Sequence, residues 1–316
     1  MKYLITLLPI IILFGCSIKT PKEYMLDEKD LVPEGIAYSE NKDAFYLTSI
    51  AKSKIIELDR KSGKQNDFIK ERESGYTPGV GIYVDDERNL LHAIGGYFMK
   101  SDSLSSLFTF DLNTKKLLKR YNVIDEGEHF LNDMVKDKNG NIYLTDTKGS
   151  AIYVLKHNSD SLELFYKSPK IKFPNGIAIS DDNTKLFIAS NPNGVRILDI
   201  STKNILNKRD TLGISQGIDG LEFYKNHLYA IQNTVEANAF NFRKLMLNQA
   251  QDEIIDVEVI DSHTPNLNVP LTFCLVGDKA IVIGNSNLQY LNQENFKFTN
   301  ADTVPNTKLL MYQLNE

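Results

Sequence analysis

The stretch Phe173-Pro174-Asn175-Gly176-Ile177-Ala178-Ile179, then Lys185-Leu186-Phe187-Ile188-Ala189, then Val195-Arg196-Ile197-Leu198-Asp199, decides the fold. Each run is short, rich in β-branched and aromatic residues, and bounded by Asn, Asp, Gly or Pro. That is the signature of strands joined by turns. Asp181-Asp182-Asn183 and Asn191-Pro192-Asn193-Gly194 fill the gaps with turn formers.

The same order of runs returns along the chain. It begins at Pro33-Glu34-Gly35-Ile36-Ala37, at Pro78-Gly79-Val80-Gly81-Ile82, at Leu131-Asn132-Asp133-Met134-Val135, at Ile218-Asp219-Gly220-Leu221, and more weakly at Leu271-Thr272-Phe273. Taking Glu34, Gly79, Asn132, Asn175, Asp219 and Thr272 as marks, successive copies lie 43 to 53 residues apart. No long stretch carries apolar residues at helical spacing. A lone four-stranded unit exposes two apolar faces and must pack against its neighbours. Six such units of roughly 40–50 residues therefore predict an all-β, six-bladed β-propeller of four-stranded antiparallel blades around a central channel. The last copy supplies three clear strands, so Glu23-Tyr24-Met25-Leu26 is the expected fourth strand that closes the ring.

Composition narrows the function. The chain has 316 residues, 36 Lys+Arg against 41 Asp+Glu, and a formal net charge of −5. No basic excess is available to neutralise phosphates, so a general nucleic-acid binder is excluded. Two cysteines exclude a disulfide scaffold or a thiolate zinc site. Residues 1–15 hold one Lys and an apolar run from Tyr3 to Phe14, too short to span a membrane, which needs roughly 20 apolar residues. Leu13-Phe14-Gly15-Cys16 resembles the lipobox of bacterial lipoproteins, which implies a cleaved signal at 1–15 and a lipidated Cys16. The expected organisation is a lipid-anchored tether over 16–30, able to supply the closing strand, and one propeller over 31–316. It places the protein in the cell envelope, on the periplasmic or cell-surface face, and on the outer membrane if the cell is Gram-negative, because Ser17 rather than Asp follows Cys16. A monomer is expected. Cys274, within an apolar run, reads as a buried thiol.

The chemistry concentrates where each copy begins. The residue entering the innermost strand faces the channel mouth, and Glu34, Asn132, Asn175 and Asp219 stand there in four blades. Any one Asn-Gly or Asp-Gly is a turn former. Four oxygen-bearing side chains at one phase point to a shared ligand instead. Oxygen donors without Cys or His select a hard divalent cation, and two carboxylates match its charge. His129, in the loop before Asn132, is a candidate acid/base or substrate contact.

Pro33-Glu34-Gly35, Leu131-Asn132-Asp133, Phe173-Pro174-Asn175-Gly176 and Ile218-Asp219-Gly220 at blade spacing resemble the regucalcin/gluconolactonase (senescence marker protein) family. The resemblance implies a six-bladed propeller with one central divalent metal, calcium first and zinc, magnesium or manganese as alternatives. It implies Glu34, Asn175 and Asp219 as metal ligands, Asp219 also as general base, and Asn132 as a contact to substrate or water. The implied activity is hydrolysis of lactone or related ester bonds. Two features depart from the family. Tyr38 stands where many members carry Trp, and Phe130-Leu131 replaces a substrate-binding Arg, so a sugar lactone lacks a clamp. Insertions near 92–106 and 232–268 are expected to roof the channel. The competing reading is a lipid-anchored, non-catalytic binding propeller with a structural metal.

Overall fold

The computed structural model describes residues 23–99, 104–234, 239–262, 264–292, 294–298 and 300–314. Cys16 and the signal read over 1–15 lie outside these residues. Among them the chain forms six antiparallel blade sheets and one small two-stranded hairpin of Leu291–Asn292 and Lys297–Phe298. Blade 1 comprises Pro33–Ser39, Ala44–Ser49, Ile55–Asp59 and Gln65–Ile69; blade 2 comprises Gly79–Asp85, Leu90–Gly95, Ser106–Asp111 and Leu117–Asn122. Blade 3 holds Leu131–Lys136, Ile142–Asp146, Ala151–Leu155 and Leu162–Lys167; blade 4 holds Pro174–Ile179, Lys185–Ser190 and Gly194–Asp199. Blade 5 is Ile218–Tyr224, His227–Thr234, Ala239–Leu247 and Ile254–Ser262. Blade 6 is Phe273–Val276, Lys279–Ile283 and Lys308–Gln313, with Glu23–Met25 as its outer strand.

That outer strand closes the ring. Glu23, Tyr24 and Met25 pair antiparallel with Leu310, Leu309 and Lys308. Tyr24 and Leu26 are buried, and the Tyr24 hydroxyl donates to the Arg60 carbonyl of blade 1 at 2.8 Å. The buried apolar side chains fall into clusters at the seams between neighbouring blades. One joins Phe45 and Leu47 of blade 1 to Ile281 and Leu309 of blade 6, and it contains Tyr24 and Cys274. Cys274 is a free, buried cysteine.

Short-range chemistry makes the outer turns. Asp59, Asp111 and Asp199 each end a third strand, and each carboxylate accepts the backbone N–H three residues on, from Ser62, Thr114 and Thr202 at 2.7, 2.7 and 2.8 Å. The next residue, Gly63, Lys115 or Lys203, has positive φ and reverses the chain. At Asp59 the Ser62 hydroxyl, which donates to the same oxygen, and then the backbone bond hold the carboxyl below the ordinary range; at Asp111 and Asp199 the backbone bond leads.

Two details differ from the sequence reading. Blade 4 has three strands, and its edge is covered by the segment after Asp199. There Ile205 bridges Leu198, while the Asn207 side chain donates to the Val195 carbonyl and accepts from the Ile197 N–H, as a strand would. The described part of 232–268 is mostly the long outer strands of blade 5, because the hydrogen-bonded hairpin simply continues. The excursion reaching the channel mouth beside Tyr97 comes instead from blade 6, where Phe296 meets Tyr97 edge-on with ring centroids 5.4 Å apart.

Candidate active site at the channel mouth

Each of the first five innermost strands carries one residue more than its partner at the same place. The register slips between Pro33 and Ile36, Gly79 and Ile82, Leu131 and Met134, Pro174 and Ile177, and Ile218 and Leu221. This is a β-bulge, which bends the strand and re-aims its side chains. The bulged pairs are Glu34-Gly35, Val80-Gly81, Asn132-Asp133, Asn175-Gly176 and Asp219-Gly220. The ring therefore reads Glu34, Val80, Asn132, Asn175, Asp219, with Thr272 in blade 6. Blade 2 contributes Val80, not Gly79 as the spacing had suggested. Gly79 pairs with Gly95 just before the bulge, as Pro33 pairs with Ser49, so Val80-Gly81 is the equivalent of Glu34-Gly35.

Threonines on the second strands satisfy two of the N–H groups that bulging frees. The Gly35 N–H donates to Thr48 Oγ1 at 2.9 Å, and the Asp133 N–H donates to Thr145 Oγ1 at 3.0 Å. Glycine is required after the ring residue in most blades, because the next blade lies against it. A Cβ on Gly35 would come 2.4 Å from the Val80 carbonyl oxygen. Asp133 is the exception. Its Oδ2 accepts the Ile177 N–H of blade 4 at 3.0 Å, and its Oδ1 accepts the Met134 N–H at 2.8 Å. It replaces backbone contact between blades with a carboxylate bridge.

The ring residues make the following contacts. Asn175 Nδ2 donates to Asp219 Oδ1 at 2.6 Å, and Asn233 Nδ2 donates to Asp219 Oδ2 at 2.5 Å. The two amides fix the plane of the Asp219 carboxylate. Asn132 Nδ2 donates to Thr147 Oγ1 at 3.0 Å, and that hydroxyl donates to the Pro174 carbonyl at 2.7 Å. The Thr272 hydroxyl donates to the Glu34 carbonyl at 2.5 Å, closing the ring between blades 6 and 1. Glu34 Oε2 and Asn132 Oδ1 are buried without any hydrogen-bond partner.

Glu34 and Asp219 are only 6% and 7% exposed. Burial, followed by the neighbouring Asp219 and Asp133 charges, pushes the Glu34 carboxyl well above the usual range. Burial pushes Asp219 up to about 7, against its two amide donors and with the Asp133 charge adding to it. Burial lifts Asp133 to about 6 despite its two N–H donors. Further along the bore, burial and the Asp133 charge lift Glu222 to about 8. Among the described residues no lysine, arginine or histidine offsets the charge at any of the four. Beyond the ring the channel holds a cavity of ≈ 210 Å³ walled by Glu34, Asp133 and Glu222 among others.

His129 lies apart. Its Nδ1 is 2.6 Å from Asp146 Oδ2 and its Nε2 is 3.0 Å from Asp125 Oδ1, the latter without hydrogen-bond alignment. The Tyr153 hydroxyl donates to Asp125 at 2.6 Å and completes this cluster, in which Asp146 and Tyr153 are buried and Asp125 is exposed. No described contact joins it to Glu34, Asn175 or Asp219. Sequence reasoning passed over Asp133, Glu222 and Asn233. Asp133 was legible as an Asp where four other copies have Gly. Asn233 carries no such mark, since it lies at the far end of a neighbouring strand.

Residues 32–227, which include Glu34, Asn132, Asn175 and Asp219, match the model of the SMP-30/Gluconolactonase/LRE-like region. The chain belongs to this family. Membership in the SMP-30/gluconolactonase/LRE-like family supports a hydrolase-type function. A gluconolactonase from Xanthomonas campestris superposes with a TM-score of 0.61 at 13% identity, covering 89% of this chain and 86% of that one. A calcium-binding regucalcin from Agrobacterium tumefaciens gives 0.61 at 15%, covering 94% and 96%. Virginiamycin B lyase from Staphylococcus aureus gives 0.59 at 15%, covering 83% and 80%. At such identities these likenesses show the propeller fold alone, which hosts both lactonase and lyase chemistry. No curated protein sequence matches the chain.

The residues present fit a divalent cation. Among the described residues no three His, Cys, Asp or Glu side chains form a ligand group. The ring instead offers two carboxylates and two carboxamides, a donor set for a hard cation. The orphaned oxygens of Glu34 and Asn132, and the uncompensated charge of Glu34, Asp133 and Asp219, are what such an ion would satisfy.

Proposed function

We propose that this protein is a divalent-cation-dependent hydrolase of lactone or related ester bonds, acting at the channel mouth. The observation that carries this reading is the buried Glu34–Asp219 pair, lacking any cationic neighbour among the described residues and ringed by Asn132 and Asn175. Glu34, Asn175 and Asp219 would hold the cation, with calcium first among the candidates. When bound, the ion polarises a carbonyl and acidifies water.

The remaining work falls to side chains. Asp219 takes the proton from the attacking water on a carboxylate oxygen. Asn175 and Asn233 keep that carboxylate from rotating, so the proton acceptor is positioned before substrate arrives. Asn132 is tied through its Nδ2 to Thr147, which leaves Oδ1 to orient water or substrate. His129 remains paired with Asp146 and is assigned no step.

We also propose a cell-envelope location through a lipid on Cys16, which rests on the sequence of residues 1–16 alone. The test of function is a panel of lactones and aryl esters assayed with calcium, magnesium, manganese or zinc and again with a chelator. Turnover that is abolished by chelation and restored by one ion supports the reading. Tight cation binding with no turnover across the panel would replace it with a binding propeller.

A further inference from the structure

Five positions of the ring are polar, and the sixth is Val80. It lies between Glu34 and Asn132, and above it the surface changes character. Ile50, Pro78, Val80, Phe98, Met99 and Phe130, together with Gly96 and Phe296, line an apolar pocket of ≈ 40 Å³. Phe130 is buried two residues before Asn132, and Phe98 meets it edge-on with centroids 5.1 Å apart. Phe98 and Met99 are 44% and 54% exposed, so the pocket has an open apolar lip. The nearby cation, Lys148, lies 5.5 Å above the Phe98 ring and is 3.4 Å from Glu128, so it is already neutralised. Among the described residues no side-chain hydroxyl, amide or charge lines the pocket.

We infer that this pocket receives a short alkyl or aryl substituent of the substrate, so that the preferred substrates are apolar lactones or esters rather than polyhydroxylated ones. The inference rests on the hydrolase reading for its reaction but on Val80 for its position. Val80 belongs both to the ring and to the pocket wall, so a carbonyl at Glu34 and Asn132 projects its substituent over blade 2. A polyol placed there would give up hydrogen bonds to water and find none. An alkyl chain leaves water for a dry wall. The small volume limits the gain to the first few carbons.

The experiment measures kcat/KM for γ-lactones bearing hydrogen, ethyl, butyl or hexyl groups, with glucono-δ-lactone as the polyol, in wild type and Phe98→Ala. Binding of the same compounds is measured by calorimetry at saturating cation. The expected result is a rise of roughly tenfold or more over the first methylenes, a plateau thereafter, a poor polyol, and a flattened dependence in Phe98→Ala. Lactones hydrolysed with no dependence on chain length would overturn the pocket and spare the hydrolase. Affinity rising with chain length without hydrolysis would sink the hydrolase and keep the pocket. A Phe98→Ala protein with an unchanged chain-length profile also counts against the pocket. Because Phe98 is half exposed, its replacement leaves the fold standing.

Discussion

Gly176 lies so close to Asp219 that a Cβ on the glycine would fall 2.2 Å from the Asp219 carbonyl oxygen. The bulge of blade 4 is thus pressed backbone to backbone against the bulge of blade 5. The Asn175–Asp219 hydrogen bond spans the same seam. Ring geometry and blade packing are one constraint here.

Gly176→Ala therefore forces backbone apart, since the Leu221 N–H group is also only 2.9 Å from the added carbon. A loss of about 1–3 kcal/mol in unfolding free energy is expected, together with weaker divalent-cation binding. Denaturant melts and calorimetry check both. A variant of wild-type stability and affinity would show that the seam yields freely.

Asp219→Asn keeps the shape and removes both the charge and the proton acceptor. Cation affinity should fall, and at saturating cation turnover should drop about 10²–10⁴-fold. Asn132→Ala should lower turnover while cation binding largely survives. Wild-type turnover in Asp219→Asn would remove it from the mechanism.

The raised carboxyls fix a pH dependence for the cation-free protein. Asp219 rises from 3.8 to about 7 and Glu222 from 4.5 to about 8 on folding, so the folded state holds more protons than the unfolded chain between these values. Their contribution is complete below pH ~4 and is lost as pH rises towards 8. With chelator present, the melting temperature should fall from pH 5.5 to pH 8 by about 3 °C or more. Saturating cation should abolish the fall, because it stabilises the ionised carboxylates. A flat or rising profile in chelator contradicts the uncompensated cluster.

Tyr24 couples the closing strand to both end blades. It packs edge-on against Phe45 with centroids 5.5 Å apart and bonds the Arg60 carbonyl. Tyr24→Ala should cost about 3 kcal/mol, read from denaturant midpoints at unchanged slope. A loss within experimental error would mean that the ring does not depend on this strand.

Cys16→Ala should leave the precursor unprocessed or release it from the membrane fraction. Mature protein still sedimenting with membranes after this change would refute the anchor.

The sequence by itself determined the repeat, and with it the propeller. Short strand runs bounded by turn residues recur at blade spacing, and strand formation and turn chemistry are local. It also marked Glu34, Asn132, Asn175 and Asp219, because each repeats a phase and a residue type. What only the tertiary structure decided is how the phases meet. The bulges put Val80 rather than Gly79 in the ring, since pairing register depends on the partner strand. Asp133 and Asn233 joined the carboxylate network through contacts between blades and across strands, which no local pattern encodes. His129 stands three residues from Asn132 in sequence, yet Asp146 holds it in a separate cluster. The apolar lip beside Val80 assembles Phe98, Phe130 and Phe296 from three separate stretches of chain, and only closure of the ring brings them together.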